Sequence, residues 1–290
     1  MEENIIDQIL KDKKEKFLSA TKINTYLQCN LKYYFKYILQ RKPEFTSPAL
    51  IFGGSVHKSL EYLHRNLGKM QVEIDELFAI FENEFSLQSD SYDNIHWGRN
   101  DKDSLLLTGF RTIENYYNLH KEDRPAVELT SPDGKEKITG VELNFISPIE
   151  DNSEYKIHGI IDLIQVEKDI LTIIDHKTSL KKYDKFQINT NLQLVIYSYA
   201  FRNLLTSGYK LPIEKTKEDK VAFNVLLKDK SNETIRYERE ISDTDIQSML
   251  SVIKGVIYGI NNGIFLPTYS MNCAYCDFRE FCTSFKPGVS

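Results

Sequence analysis

Between Gly159 and Thr178 the chain reads GIIDLIQVEKDILTIIDHKT, two apolar runs interrupted by Asp162, Asp175 and Lys177. Carboxylates are almost never buried among Ile, Leu and Val unless something compensates them. The stretch therefore demands two adjacent strands and a partner for two acids. Tyr155 to Val166 and Ile170 to Thr178 read as the strands, and the polar Glu167-Lys168-Asp169 as their turn, although it is not of the favoured Asn-Gly type. With a two-residue turn at Lys168 and Asp169, Glu167 faces Ile170. Counting back along both strands then brings Asp162 opposite Asp175, with β-carbons about 5 Å apart. Lys177 shares the face of Asp175, because strand side chains repeat every second residue. A slip of one residue would put the two acids on opposite faces. Facing carboxylates are tolerated when one is protonated or when a hard cation lies between them. The competing reading is a solvent-facing hairpin with ordinary surface acids, for which IIDLI and TIIDHKT leave little polar surface.

The 290 residues, 41% of them hydrophobic, suffice for one large domain or two modest ones. No apolar run approaches the ~18–20 residues that a membrane span needs. The opening MEENIIDQILKDKKEKF lacks the apolar core of a secretory signal, so a cytoplasmic protein with no membrane partner is expected. A net charge of −5 argues against a basic coat for gripping nucleic acid, but leaves a local basic channel open. Lys181, Lys182 and Lys185 follow the hairpin, and Lys11, Lys13, Lys14 and Lys16 cluster early. Such runs are more often solvated faces than binding sites.

Cys273, Cys276 and Cys282 form C-x2-C-x5-C near the C-terminus, and Cys29 lies far upstream. Disulfides are not expected in an intracellular chain. Three clustered thiols and one distant thiol suggest a four-thiolate site holding zinc or an iron–sulfur cluster, and spacing alone leaves that choice open. A buried helix cysteine at Cys29 and a zinc-only terminal knot are the plainer alternatives. A shared centre would tie the two ends of the chain together.

Residues 19–39 carry apolar and aromatic side chains at helical spacing, with Ser19 or Thr21 as cap. A second helix is expected to open after Phe52-Gly53-Gly54-Ser55, and further helices over Ile74–Phe85 and Ser104–His120. Residues 86–103 read as a polar loop or lid. Strands are expected over Lys137–Ser147, Tyr155–Val166, Ile170–Thr178, Val221–Lys228 and Thr234–Ile241, and helices over Asn191–Leu205 and Asp245–Asn261. Helices first, then a mainly antiparallel sheet with helices packed on it, make a mixed α/β fold.

His57 stands in the first turn of the second expected helix. Its neutral imidazole is a good ligand for manganese, and equally a packed or capping residue. Gln193 and Tyr197 lie four apart, on one helical face that could point at the acids. The amide would orient water or substrate and the phenol would touch a phosphate, unless the pair is the polar edge of an ordinary amphipathic helix. Glu142, in VELNF, is either a carboxylate supporting the acidic pair or a surface residue. His176, between Asp175 and Lys177, should turn its imidazole to the opposite face.

The order of a helix with a cysteine, GGSVHKSLE, GIID, DHK, QLVIY and C-x2-C-x5-C resembles the RecB-like iron–sulfur branch of the PD-(D/E)XK nuclease superfamily. It is similar to the AddB nuclease domain and to CRISPR-associated RecB-like exonucleases. The resemblance runs from about Ser19 to Phe285. It departs from such sequences where Asn30, not Pro, follows the first cysteine and where Ile174 replaces the leading Pro. It implies a restriction-endonuclease-like core with a mixed, mainly antiparallel central sheet flanked by helices. Residues 1–18 would be an extension, 19–125 a helical region, 126–265 the nuclease core, and 266–290 a cysteine knot stapled to the N-terminal helix. It further implies Mg2+ or Mn2+ held by His57, Asp162, Asp175 and the backbone carbonyl of His176. Lys177, Gln193 and Tyr197 would be the remaining catalytic residues, and a [4Fe–4S] cluster would sit on Cys29, Cys273, Cys276 and Cys282, with Zn2+ as the alternative. The activity implied is a DNA exonuclease acting in recombination or repair on single strands or single-stranded ends, alongside a helicase, an integrase or a single-strand-binding protein. A structure-specific endonuclease and a non-catalytic DNA-binding scaffold are the alternatives. No GxxxxGK[ST] motor motif is present.

Overall fold

A computed structural model describes residues 16–98, 101–149, 154–167, 170–212 and 220–285. The turn expected at Lys168 and Asp169, and Lys11, Lys13 and Lys14, lie outside the described residues.

The chain enters through β1 (Lys16–Leu18) and α1 (Ala20–Gln28), which Ser19 caps by accepting from the Lys22 N–H at 3.2 Å. The helix expected over residues 19–39 breaks at Cys29, whose backbone is extended, and resumes as α2 (Asn30–Tyr33) with a wider turn over Tyr34–Ile38. α3 (Pro48–Asn66) starts earlier than expected, with Ser47 as cap and Pro48 at its first position, where the missing N–H costs nothing. Gly53 and Gly54 therefore lie inside a helix. They are useful there because α3 passes close to its neighbours: a β-carbon on Gly54 would stand 3.1 Å from the Gln88 side chain. α4 (Ile74–Asp90) runs further than expected and takes in the start of the supposed loop, and α5 (Lys102–His120) follows.

Strands β2 (Glu128–Thr130) and β3 (Lys137–Thr139) form a separate antiparallel pair. Gly140 splits the strand expected over Lys137–Ser147, so that β4 (Val141–Pro148) starts a new path. β5 (Tyr155–Glu167), β6 (Ile170–Ser179), β7 (Lys220–Leu227) and β8 (Thr234–Glu240) complete a six-stranded sheet ordered β1-β5-β6-β7-β8, with β4 also paired to β5. β6 and β7 are parallel, as are β1 and β5; the remaining pairs are antiparallel. Short α6 (Lys185–Asn189) and α7 (Leu192–Thr206) connect the parallel strands, and α8 (Asp243–Asn261) follows the sheet. The mixed sheet flanked by helices is the α/β architecture expected.

Ile173, Phe223 and Val225 face a core built with α1, α7 and α8. On the other face Leu226 joins the core of α3, α4 and α5. The ends of the chain meet through Leu31, Phe35 and Phe278, with Cys29, Cys276 and Cys282 packed against them. Lys32 pairs with Asp277 across that junction, and α9 (Arg279–Ser284) closes it.

Candidate active site

The β5–β6 hairpin has the register expected: Glu167 faces Ile170, and the ladder continues to Leu163 opposite Ile174. The recorded pairs stop one step before Asp162 and Asp175. The neighbouring strand shows why. Along β4 and β5, Val141 pairs with Leu163 and Leu143 with Ile161. Regular alternation would put Val141 and Leu143 on one face, yet Val141 and Leu163 join one buried cluster while Leu143 and Ile161 join another. The break falls on Glu142, whose φ of 49° is a left-handed conformation uncommon outside glycine. Glu142 and Asp162 are thus both displaced from the regular pleat, as at a bulge.

The Asp162 carboxylate leaves the ladder. Its Oδ2 accepts from the backbone N–H of His176 at 2.7 Å and stands 3.6 Å from His57 Nδ1. His57 comes from α3, where Val56 beside it is buried in the helical core. Its Nε2 lies 3.0 Å from the carbonyl oxygen of His176. A carbonyl only accepts, so Nε2 carries the proton, and in the neutral ring the Nδ1 lone pair faces the Asp162 carboxylate. Two acceptors pointed at each other repel unless a proton or a metal cation lies between them. Ligand atoms of His57, Glu142 and Asp162 all lie within 4.8 Å of one another. Carboxylate oxygens with one imidazole suit a hard or borderline divalent cation such as Mg2+ or Mn2+. Burial first, then the charges of Asp162 and Glu61, push Glu142 up to about 8, the behaviour of a half-buried acid set beside other acids.

Asp175 lies on β6 beside Lys177. It is 1% exposed, and its Oδ2 is 2.7 Å from the Lys177 ammonium. That oxygen nevertheless lacks an aligned hydrogen bond; the ammonium meets it as an ion pair, off the hydrogen-bonding direction. Burial raises the Asp175 pKa, with Lys177 opposing. Burial alone would lower that of Lys177, but Asp175 and Asp162 outweigh it and raise it. The Lys177 ammonium is thus favoured in its charged form by the acids beside it. Asp175 stays within electrostatic reach of Asp162, yet among the described residues Glu142, and not Asp175, completes the compact donor cluster.

Gln193 sits in the first turn of α7, whose cap residue Asn191 accepts from its N–H at 2.8 Å. The Gln193 side-chain amide donates to the Tyr197 hydroxyl at 2.8 Å. Tyr197 is 5% exposed and packs edge-on against Phe145, which fixes its phenol beside the Gln193 amide. Burial, then Asp175 and Asp162, raise its pKa. His176 turns its imidazole to the helical side, as alternation required; its carbonyl, expected as a ligand, accepts from His57.

Cys29, Cys273, Cys276 and Cys282 all line one cavity of about 230 Å³. Among the described residues, no three of the sulfurs lie within 4.8 Å of one another. Burial raises the pKa of the Cys276 and Cys282 thiols.

The sequence offered Glu142 as a carboxylate supporting the acidic pair or a surface residue; the structure brings it within ligand distance of His57 and Asp162. A second register, β4 against β5, would have placed it across from Asp162, but the connection between those strands contains no turn signal that sets it. The buried His64 and Tyr116, close behind His176, carried no sequence signal at all.

The family model of the PD-(D/E)XK nuclease superfamily matches residues 17–283. A solved structure from Eubacterium rectale, provisionally named an exonuclease, aligns over 100% of this chain and 96% of its own at 14% identity with a TM-score of 0.55. The structure of SSO0001 aligns over 90% of this chain and 96% of its own at 15% identity, but its TM-score of 0.32 is too low to support a shared fold. No curated protein matches the sequence.

Proposed function

Because the chain belongs to the PD-(D/E)XK nuclease superfamily, and is by that membership a nuclease with a nucleic-acid substrate, we propose that it is a Mg2+- or Mn2+-dependent DNA exonuclease with an iron–sulfur cluster as a structural staple. The observation that carries the metal-dependent reading is the donor cluster of His57, Glu142 and Asp162 beside the Asp175–Lys177 pair. Mg2+ or Mn2+ held there would polarise a non-bridging phosphate oxygen and lower the pKa of a bound water. Lys177, kept protonated by its acidic neighbours, stabilises negative charge as it develops on the phosphate. Asp175 holds that ammonium in place. Gln193, its amide fixed by Tyr197, orients water or the substrate backbone. His57 and Asp162 have their geometry set by one residue, His176.

The name of the Eubacterium rectale protein supports the exonuclease mode. The four cysteines line one cavity, the placement that a single centre on four thiolates needs. Hydrolysis transfers no electrons, so the cluster would join the chain ends and take no part in the reaction. The test is an anaerobic preparation assayed on end-labelled single- and double-stranded DNA, linear and circular, with Mg2+ or Mn2+. Release of labelled nucleotides from linear substrate, with circles left intact, is the expected result. Nicking of circles would replace the exonuclease mode by the endonuclease mode. DNA binding with no metal-dependent cleavage would sink the enzymatic reading. Zinc without iron or sulfide in the preparation would overturn the cluster.

A further inference from the structure

The segment that joins two parts of the candidate site carries a ring that the fold leaves unused. It runs from Lys177, near the end of β6, to Gln193, at the start of α7. Its path is firmly held. The Tyr183 ring packs edge-on against Phe223 at 5.7 Å and stacks on Tyr237 at 6.3 Å. Asp184 and Gln187 cap α6 reciprocally at 2.7 and 2.9 Å. Arg239 on β8 donates to the carbonyl of Asn189, and Ile188 anchors α6 in the core. Phe186 stands two residues before Ile188, about 200° around the helix. It therefore points away from the core and is 74% exposed. Leu180, earlier in the same segment, is 65% exposed.

Scattered apolar residues at a surface need no explanation, but these two are set among lysines. Lys181, Lys182 and Lys185 interleave with them on a chain whose net charge is −5. Lys182 pairs with Glu233 at 2.9 Å, and Asp184 is engaged in its cap. Among the described residues neither Lys181 nor Lys185 enters an ion pair. An outward ring beside free ammonium groups has the chemistry of a nucleic-acid strand's complement: the ring takes a base face and the lysines take phosphates. A duplex keeps its base faces within its own stack, so such a ring favours unpaired bases. The place also fits. α6 is tied to β8, two strand spacings or about 10 Å from β6 and its Lys177.

We propose that Phe186, flanked by Lys181 and Lys185, is a stacking platform for unpaired bases of the DNA strand that enters the site, and that it makes the protein prefer single-stranded ends to blunt duplex. This rests on the nuclease reading above and adds to it the residue that selects the form of the substrate.

The test uses the intact protein, prepared anaerobically, with Ca2+ in place of Mg2+. Binding of a fluorescein-labelled oligothymidylate and of a blunt duplex is followed by anisotropy. Phe186→Ala should weaken oligothymidylate binding about fivefold or more and leave duplex binding unchanged. Lys181→Ala and Lys185→Ala should each flatten the dependence of log affinity on log salt by about 0.7. Phe186→Trp reads the contact directly, because stacking on a base should quench the added indole. The chain's one native tryptophan, Trp97, lies against Phe85, so the wild type should show no such quenching. Equal oligothymidylate affinity in wild type and Phe186→Ala, an equal loss on duplex, or an unquenched indole overturns the platform and leaves the nuclease reading standing. A wild-type protein that binds neither DNA overturns both.

Discussion

Glu142→Gln should stabilise the metal-free protein while weakening its hold on metal. In the folded chain Glu142 has its pKa pushed up to about 8 from an ordinary 4.5, first by burial and then by Asp162 and Glu61. A carboxyl whose folded pKa is raised binds more protons folded than unfolded across that interval. Stability is then unaffected below about pH 4.5, declines as pH rises toward 8, and levels off above it. Each pH unit within the window costs about 1.4 kcal/mol, so at pH 7 the upper bound is about 3 kcal/mol. The side chain is only partly buried, and solvent screening brings the working figure to about 1–2 kcal/mol. Gln keeps the shape and removes the charge. The assay is urea unfolding of chelator-treated protein at pH 5 and pH 8, with a parallel Mn2+ titration. The variant should match wild type at pH 5, exceed it by about 1–2 kcal/mol at pH 8, and bind Mn2+ at least tenfold more weakly. A variant less stable than wild type at pH 8, or one with undiminished Mn2+ affinity, would refute the account of Glu142 as a ligand held beside other acids.

Lys177→Ala should lower cleavage by about 10²-fold or more while Mn2+ still binds, since it removes a charge aimed at the transition state; activity within a few-fold of wild type would exclude that role. Cys29→Ser should release the iron–sulfur cluster proposed above and lower the unfolding temperature by several degrees, because Cys29 packs at the junction of the chain's two ends; iron content equal to wild type would show that the three C-terminal thiols suffice. Gly109→Ala should destabilise by about 1–3 kcal/mol, because its β-carbon would stand 2.0 Å from Phe81, a buried ring with no room to retreat; an unchanged denaturation midpoint would contradict this packing.

The acids were legible because burial and alternation are local properties of sequence. IIDLI and TIIDHKT announced strands with something to compensate, the hairpin register followed from turn length, and the thiols announced themselves by type. The starts of α3 and of the loop after α4 were misplaced for a related reason. Gly53 and Gly54 look like helix breakers until the close approach of Gln88 is known, and the polar residues after Phe85 look like a loop until the helix is seen to continue to Asp90.

What the sequence determined by itself was therefore the chemistry on offer: two acids and a lysine set into apolar strands, a histidine on an early helix, a Gln–Tyr face and four cysteines. Tertiary structure decided how these combine. The break in alternation at Glu142 and Asp162 turns both side chains out of the pleat, and it depends on a register between strands that no turn rule sets. It brings Glu142 into the donor cluster, while Asp175 lies beside Lys177 and the ordinary alternation of β6 carries the His176 ring to Tyr116 and, behind it, His64. Those last two come from helices far apart in the chain, so only packing could reveal that they stand behind the site.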